Sequence, residues 1–307
     1  MMDELRRKVD CLRTQVTSSV LGYEMVVDEV LICLFSCGHM LLEGPPGVGK
    51  THLAKTIAAL IDASFGRISA TPDLKAQDIF GDVFFDSPSK TQYFRKGPIF
   101  ANIVLIDEVN RAPHRIQSAF LEAMGESAVS ITGETHTLPR PFFLIATQNP
   151  IEYVGTYKLP EAQRDRFMMK TKLTYMRRAD EKKLLNSKIN IEPLTPALSC
   201  PELLSIQKKI REEVSIPAEV IEQILDILQA TRTRKEVVIG ASTRAGISYV
   251  NAVKSRAFLE GRCKACEEDV FELAHPILRH RIAMNQDSTA FGFTEDDLLN
   301  DILRRFK

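Results

Sequence analysis

A chain of 307 residues, 44% hydrophobic and 26% charged, has the composition of a folded globular protein with one large or two ordinary domains. That excludes extended disorder, collagen and a disulfide miniprotein, and six cysteines without regular spacing suit a reducing compartment. Forty Lys plus Arg balance forty Asp plus Glu, and zero net charge argues against dense, nonspecific binding to nucleic acid or membrane.

In chain order, the start MMDELRRKVD is charged and lacks an apolar core, so no signal peptide is expected. Residues 26–42 lean apolar but carry Asp28, Glu29 and His39, too polar for a membrane span. The expectation is a cytoplasmic chain without membrane insertion. Short β-branched runs then alternate with helical patterns, the signature of a parallel sheet covered by helices. Strands are expected over 39–43, 65–69, 103–106, 142–147 and 168–173, several as continuous apolar runs suited to burial on both faces. Two hairpins interrupt the alternation, one over 82–94 broken at Ser87-Pro88, the other over 127–138 around Gly133-Glu134. Residues 191–201 hold three prolines and suggest a linker. Beyond it the pattern is helical over 218–230, 242–260, 267–281 and 295–306, the last capped by Thr294 with Asp297 three residues on. This predicts an α/β core over 1–187 and an all-helical domain over 188–307.

The strongest chemical signal is GPPGVGKT, between the first expected strand and a helix starting near Lys50. Gly44, Pro45, Pro46, Gly47, Val48, Gly49, Lys50 and Thr51, with His52 behind them, form the expected nucleotide-binding run. Glycines let backbone N–H groups turn inward around a phosphate, and the helix N-terminus adds positive dipole. Lys50 can then reach the β- and γ-phosphates of ATP, and the Thr51 hydroxyl can ligate Mg²⁺. The buried strand 103–106 runs directly into Asp107 and Glu108. A carboxylate there can hold Mg²⁺, while the adjacent one can polarise a water for attack on the γ-phosphate.

With VLIDEVNRAP, IATQNP, LPEAQRDRF, GASTRAG and ILRHRI following in order, the chain resembles the MoxR family of AAA+ ATPases over nearly its whole length. The resemblance implies a P-loop NTPase core with sheet order 5-1-4-3-2 and a C-terminal helical lid. ATP would bind at a subunit interface of a ring, a hexamer by family analogy. By the same resemblance Asn149 takes the sensor 1 position, Arg166 the arginine finger and Arg244 the sensor 2 arginine. The segment VLGYE (20–24) resembles the adenine-contacting stretch. The 82–94 hairpin resembles the helix 2 insert, and the 127–138 hairpin the pre-sensor 1 hairpin. Two departures stand out. Arg164 occupies a position where an aliphatic residue is expected, giving a second candidate finger, and Thr243 replaces a usual proline.

The family's role implies remodelling of a protein client, often with a von Willebrand factor A-domain partner. Two rival readings are a helicase- or chelatase-like motor and a nucleotide-regulated scaffold with little turnover. The motor should carry basic hairpin tips, and here Lys90, Arg95 and Lys96 stand against Asp82 and Asp86. The scaffold is disfavoured by intact Lys50, Asp107, Glu108 and Asn149. Cys263 and Cys266, with His275 and His280, are spaced too tightly for a zinc finger and are assigned to the packing of a continuous helix. With 7% aromatics and no Trp, a base-stacking platform has little support.

Overall fold

The computed structural model describes residues 2–86, 90–131, 133–149, 157, 159–186 and 194–306. Helices α1 (Met2–Ser19) and α2 (Glu24–Phe35) lead into strand β1 (Met40–Glu43), helix α3 (Lys50–Leu60), strand β2 (Phe65–Ser69) and the short helix α4 (Ala76–Phe80). A hairpin of β3 (Gly81–Asp86) and β4 (Thr91–Lys96) follows, then β5 (Ile103–Asp107) and α5 (His114–Glu126). A second hairpin, β6 (Ala128–Ile131) and β7 (Glu134–Thr137), precedes β8 (Phe143–Gln148), α6 (Glu161–Arg164), β9 (Met169–Lys172) and α7 (Arg178–Asn186). The remainder comprises α8 (Cys200–Glu213), α9 (Ala218–Thr233), β10 (Val237–Ile239), α10 (Thr243–Leu259), α11 (Glu267–Leu278), β11 (Ala283–Met284), α12 (Gln286–Ala290) and α13 (Glu295–Leu303).

Five strands form one parallel sheet in the order β2-β5-β8-β1-β9. Numbered along the core, this is the expected 5-1-4-3-2. Alternation along each strand divides the core in two. Met40, Leu42, Ile103, Leu105, Phe143 and Ile145 join a cluster with α1, α2, α3 and the C-terminal helices. Leu41, Val104, Ile106, Leu144 and Ala146 face the other way, onto Ile116 and Phe120 of α5. Successive side chains point to opposite faces, so a strand covered on both sides must be apolar throughout. Both hairpins form as expected, and they touch: Phe94 of β4 stacks on His136 of β7 with ring centroids 4.4 Å apart.

Three expectations need correction. The C-terminal region is not purely helical, because β10 and β11 pair antiparallel. The expected linker ends early: Ser199 and Glu202 form a reciprocal capping box, and Cys200 and Pro201 already belong to α8. The expected helix over 267–281 stops at Leu278, and the Cys263–Cys266 segment precedes it. Ser215 donates to the Cys263 carbonyl oxygen, and Cys266 caps α11, so these cysteines shape a turn instead of packing a helix. The expected domain boundary at 187/188 and the Ser87-Pro88 break lie outside the described residues.

Candidate active site

β1 and β8 end side by side with Glu43 opposite Gln148, and β5 ends with Asp107 opposite Ser69. In parallel α/β sheets the crevice beyond the carboxyl ends of the strands is where ligands sit. The loop from Gly44 to Gly49 occupies that end. Gly47 and Gly49 have φ of 83° and 86°, and a Cβ at either would meet no heavy atom within 4 Å. The left-handed backbone is what glycine tolerates, and the open space beside it is what an approaching phosphate needs. Gly44 is glycine for another reason: a Cβ there would lie 2.6 Å from the Leu173 carbonyl oxygen.

Gly49 caps α3, so Lys50, Thr51 and His52 form its first turn. Lys50 Nζ donates to the carbonyl oxygens of Gly44 (2.6 Å) and Pro45 (3.0 Å), which holds an ammonium against the loop. Partial burial lowers its pKa, while the carboxylates of Asp107 and Glu108 act in the opposite sense. The three residues therefore share one electrostatic site. The His52 ring points elsewhere, with Nε2 3.0 Å from the Ser19 carbonyl oxygen at the end of α1. Only its backbone belongs to the first turn of α3 beside the glycine loop.

Asp107 closes β5 and is bonded by Arg67 Nε of the adjacent β2 at 2.7 Å. Glu108 adopts a left-handed φ of 57°, and its N–H donates to Thr147 Oγ1 of β8 at 2.9 Å. Its carboxylate pairs with Arg111 Nε at 2.8 Å. Asn149, just beyond β8, is 9% exposed. Near the helix entry, the Tyr23 hydroxyl donates to the Thr174 carbonyl oxygen at 2.9 Å.

The candidate arginines occupy different ground. Arg166 Nη1 donates to the Leu121 carbonyl oxygen of α5 at 2.8 Å, and Arg164 pairs with Glu161 at 3.4 Å. Neither hydrogen-bonds the 44–52 loop among the described residues. Arg244, in the first turn of α10, is bound by the Asp165 carboxylate at 3.0 Å. Sequence reasoning passed over Asp165, Arg67 and Arg111. Their partners are fixed by the fold, and no local pattern marks a lone charged residue as one of a pair.

Fold and site together define the class: an AAA+ ATPase core with a lid. Residues 39–169 match the family described as "ATPase family associated with various cellular activities (AAA)", and residues 229–302 match the AAA lid domain. Chaperone MoxR1 of Mycobacterium tuberculosis is 36% identical over 301 residues, which cover 94% of this chain and 79% of that protein. The uncharacterized protein YeaC of Bacillus subtilis is 37% identical over 280 residues, 90% of this chain and 87% of its own. The crystal structure of an ATPase candidate from Cytophaga hutchinsonii superposes with a TM-score of 0.91 at 36% identity, covering 99% of this chain and 95% of that one. The chain belongs to the MoxR family of AAA+ ATPases.

Proposed function

We propose that the chain binds ATP on the 44–52 loop and hydrolyses it with Mg²⁺, within a ring of its own copies, to remodel, assemble or mature a protein partner. The observation that carries this reading is the placement of Lys50. Its ammonium is already held at an open glycine loop and feels the carboxylates of Asp107 and Glu108. The donor set suits the metal: a hydroxyl at Thr51 and a carboxylate at Asp107 are the oxygen ligands Mg²⁺ prefers. Bound there, Mg²⁺ would neutralise charge developing on the phosphate oxygens.

The chain's own groups then divide the work. Lys50 exchanges its carbonyl partners for phosphate oxygens. Glu108 accepts the proton of the attacking water once Arg111 gives way, and Asn149 orients that water. Arg166 serves the site of the neighbouring subunit, and Arg244 reaches the γ-phosphate from the lid. Client engagement falls to the first hairpin, where Phe85 is 60% and Tyr93 53% exposed and Phe84 stacks on Tyr93. An exposed aromatic face of this kind suits apolar segments of a protein. The chaperone description of the mycobacterial relative supports a protein client, and a ring of six copies, a von Willebrand factor A-domain partner and a cytoplasmic location complete the reading. No helix among the described residues is long and apolar enough to cross a membrane.

Two variants measured side by side test the site. Lys50→Ala should lose ATP binding in isothermal titration while keeping its fold, because no core side chain is removed. Glu108→Gln should bind ATP yet release phosphate at least about a hundredfold more slowly, as expected for loss of a general base. Near wild-type affinity in the first, or normal turnover in the second, would remove the assignment.

A further inference from the structure

The Asp165 carboxylate lies at the meeting point of core and lid and has three partners there. Arg281 Nε stands 3.1 Å from Oδ1, the Ser242 hydroxyl bonds at 2.9 Å, and Arg244 Nη1 donates to Oδ2 at 3.0 Å. Ser242 caps α10, so the same hydroxyl fixes the turn that presents Arg244. The partners differ in their freedom to leave. The Arg281 side chain is 1% exposed and also donates to the carbonyl oxygens of Asp165 and Phe167, whereas the Arg244 side chain is 56% exposed. A buried guanidinium cannot be stripped of its carboxylate without a large desolvation penalty. A half-exposed one loses little, because water replaces the contact. When Arg244 departs, Asp165 remains neutralised by Arg281.

We propose that Asp165 is a positioning residue that parks Arg244 in competition with the γ-phosphate of bound nucleotide. This rests on the nucleotide reading above and adds to it a regulatory exchange. Arg244 has two anionic partners available, Asp165 or a phosphate, and takes one at a time. Asp165 stands in the chain between Arg164 and Arg166.

The prediction concerns discrimination between ATP and ADP, which a merely structural role would not change. The readout is the ratio of dissociation constants for ADP and a non-hydrolysable ATP analogue, measured by titration calorimetry on the full chain. Asp165→Asn keeps shape and a Ser242 contact but removes the competing charge. It should raise preference for the triphosphate about two- to fivefold, the worth of a half-exposed ion pair. Arg244→Ala should erase the preference that Arg244 confers, and adding Asp165→Asn to it should change the ratio no further. Should Asp165→Asn alone unfold because Arg281 is left unpaired, the double variant Asp165→Asn/Arg281→Met removes both charges of the pair and carries the same expectation. An unchanged ratio in folded variants, or equal weakening of both nucleotides, overturns the proposal while leaving wild-type nucleotide binding intact. Absence of Lys50-dependent binding in the wild type would instead remove the nucleotide reading, and this proposal with it.

Discussion

At the foot of β1 the imidazole of His39 is 8% exposed and both of its nitrogens are engaged. Nδ1 accepts from the Leu144 N–H at 3.1 Å, which leaves Nε2 as the donor to the Met124 carbonyl oxygen at 3.2 Å. The ring is thus neutral, and burial pushes its pKa down to about 4 from 6.5. The sign of the pH dependence follows. Above pH 6.5 neither folded nor unfolded state takes the proton, and the stabilisation is complete. Between pH 6.5 and 4 only the unfolded chain takes it, so stability falls as pH falls, by up to about 3 kcal/mol for this residue. His280, buried with Nε2 on the Phe167 carbonyl oxygen, acts in the same direction. Urea unfolding of wild type followed from pH 7.5 to 4 should show this decline, and His39→Gln should be visibly less steep. Identical slopes would mean that His39 is not held neutral. His39 was legible only as the polar first residue of an expected strand, since its partners lie 85 and 105 residues away. Lys50, by contrast, was legible because the residues that position it are its immediate neighbours.

The elements divide along the same line. The strands of the sheet were readable because burial on both faces demands runs such as Ile103 to Ile106. Helix α1 was not recognised, because its buried stripe of Val9, Leu12 and Val16 is thin and surrounded by charge. Helix α8 was hidden by prolines that suggested a linker, although Ser199 and Glu202 held the start signal. The ribbon of β10 and β11 joins residues some 45 apart and leaves no local pattern. The start and cap of helix α13 were read correctly, though it ends at Leu303 and not at Phe306: Thr294 Oγ1 accepts from the Asp297 N–H, and Asp297 returns the bond. Its first turn also carries Asp296, which binds Lys172 of β9 at 2.6 Å and Arg279 at 3.0 Å. Thr294→Ala should therefore cost about 1 kcal/mol, the usual worth of such a cap, and loosen the lid's contact with β9. The urea midpoint measures the first effect and amide exchange at Lys172 the second. A variant as stable as wild type would show that the cap contributes nothing.

Across the whole molecule, core and lid share one continuous apolar cluster, with Phe35 of α2 packed edge-on to Phe258 of α10 at 6.5 Å. Arg13 of α1 bonds Asp28 and Glu260, tying the N-terminal helices to the lid. The candidate finger has a separate geometry. Arg166 is held on the α5 carbonyl of Leu121 and, among the described residues, has no hydrogen bond to the 44–52 loop of its own subunit. If, as proposed, Arg166 serves a neighbouring copy, each catalytic site is completed by that copy, and the Glu108 and Arg166 variants each turn over slowly in a pure ring. Arg166→Ala alone should bind ATP almost normally and lose hydrolysis by roughly three or more decades, as for loss of a finger, with Arg164→Ala as the control for the neighbouring candidate. The most direct measurement mixes Arg166→Ala subunits with Glu108→Gln subunits and follows phosphate release. The account predicts recovered turnover, because a mixed ring contains interfaces that pair an intact Glu108 with an intact Arg166. No recovery, in mixtures shown by mass measurement to contain mixed rings, would contradict it.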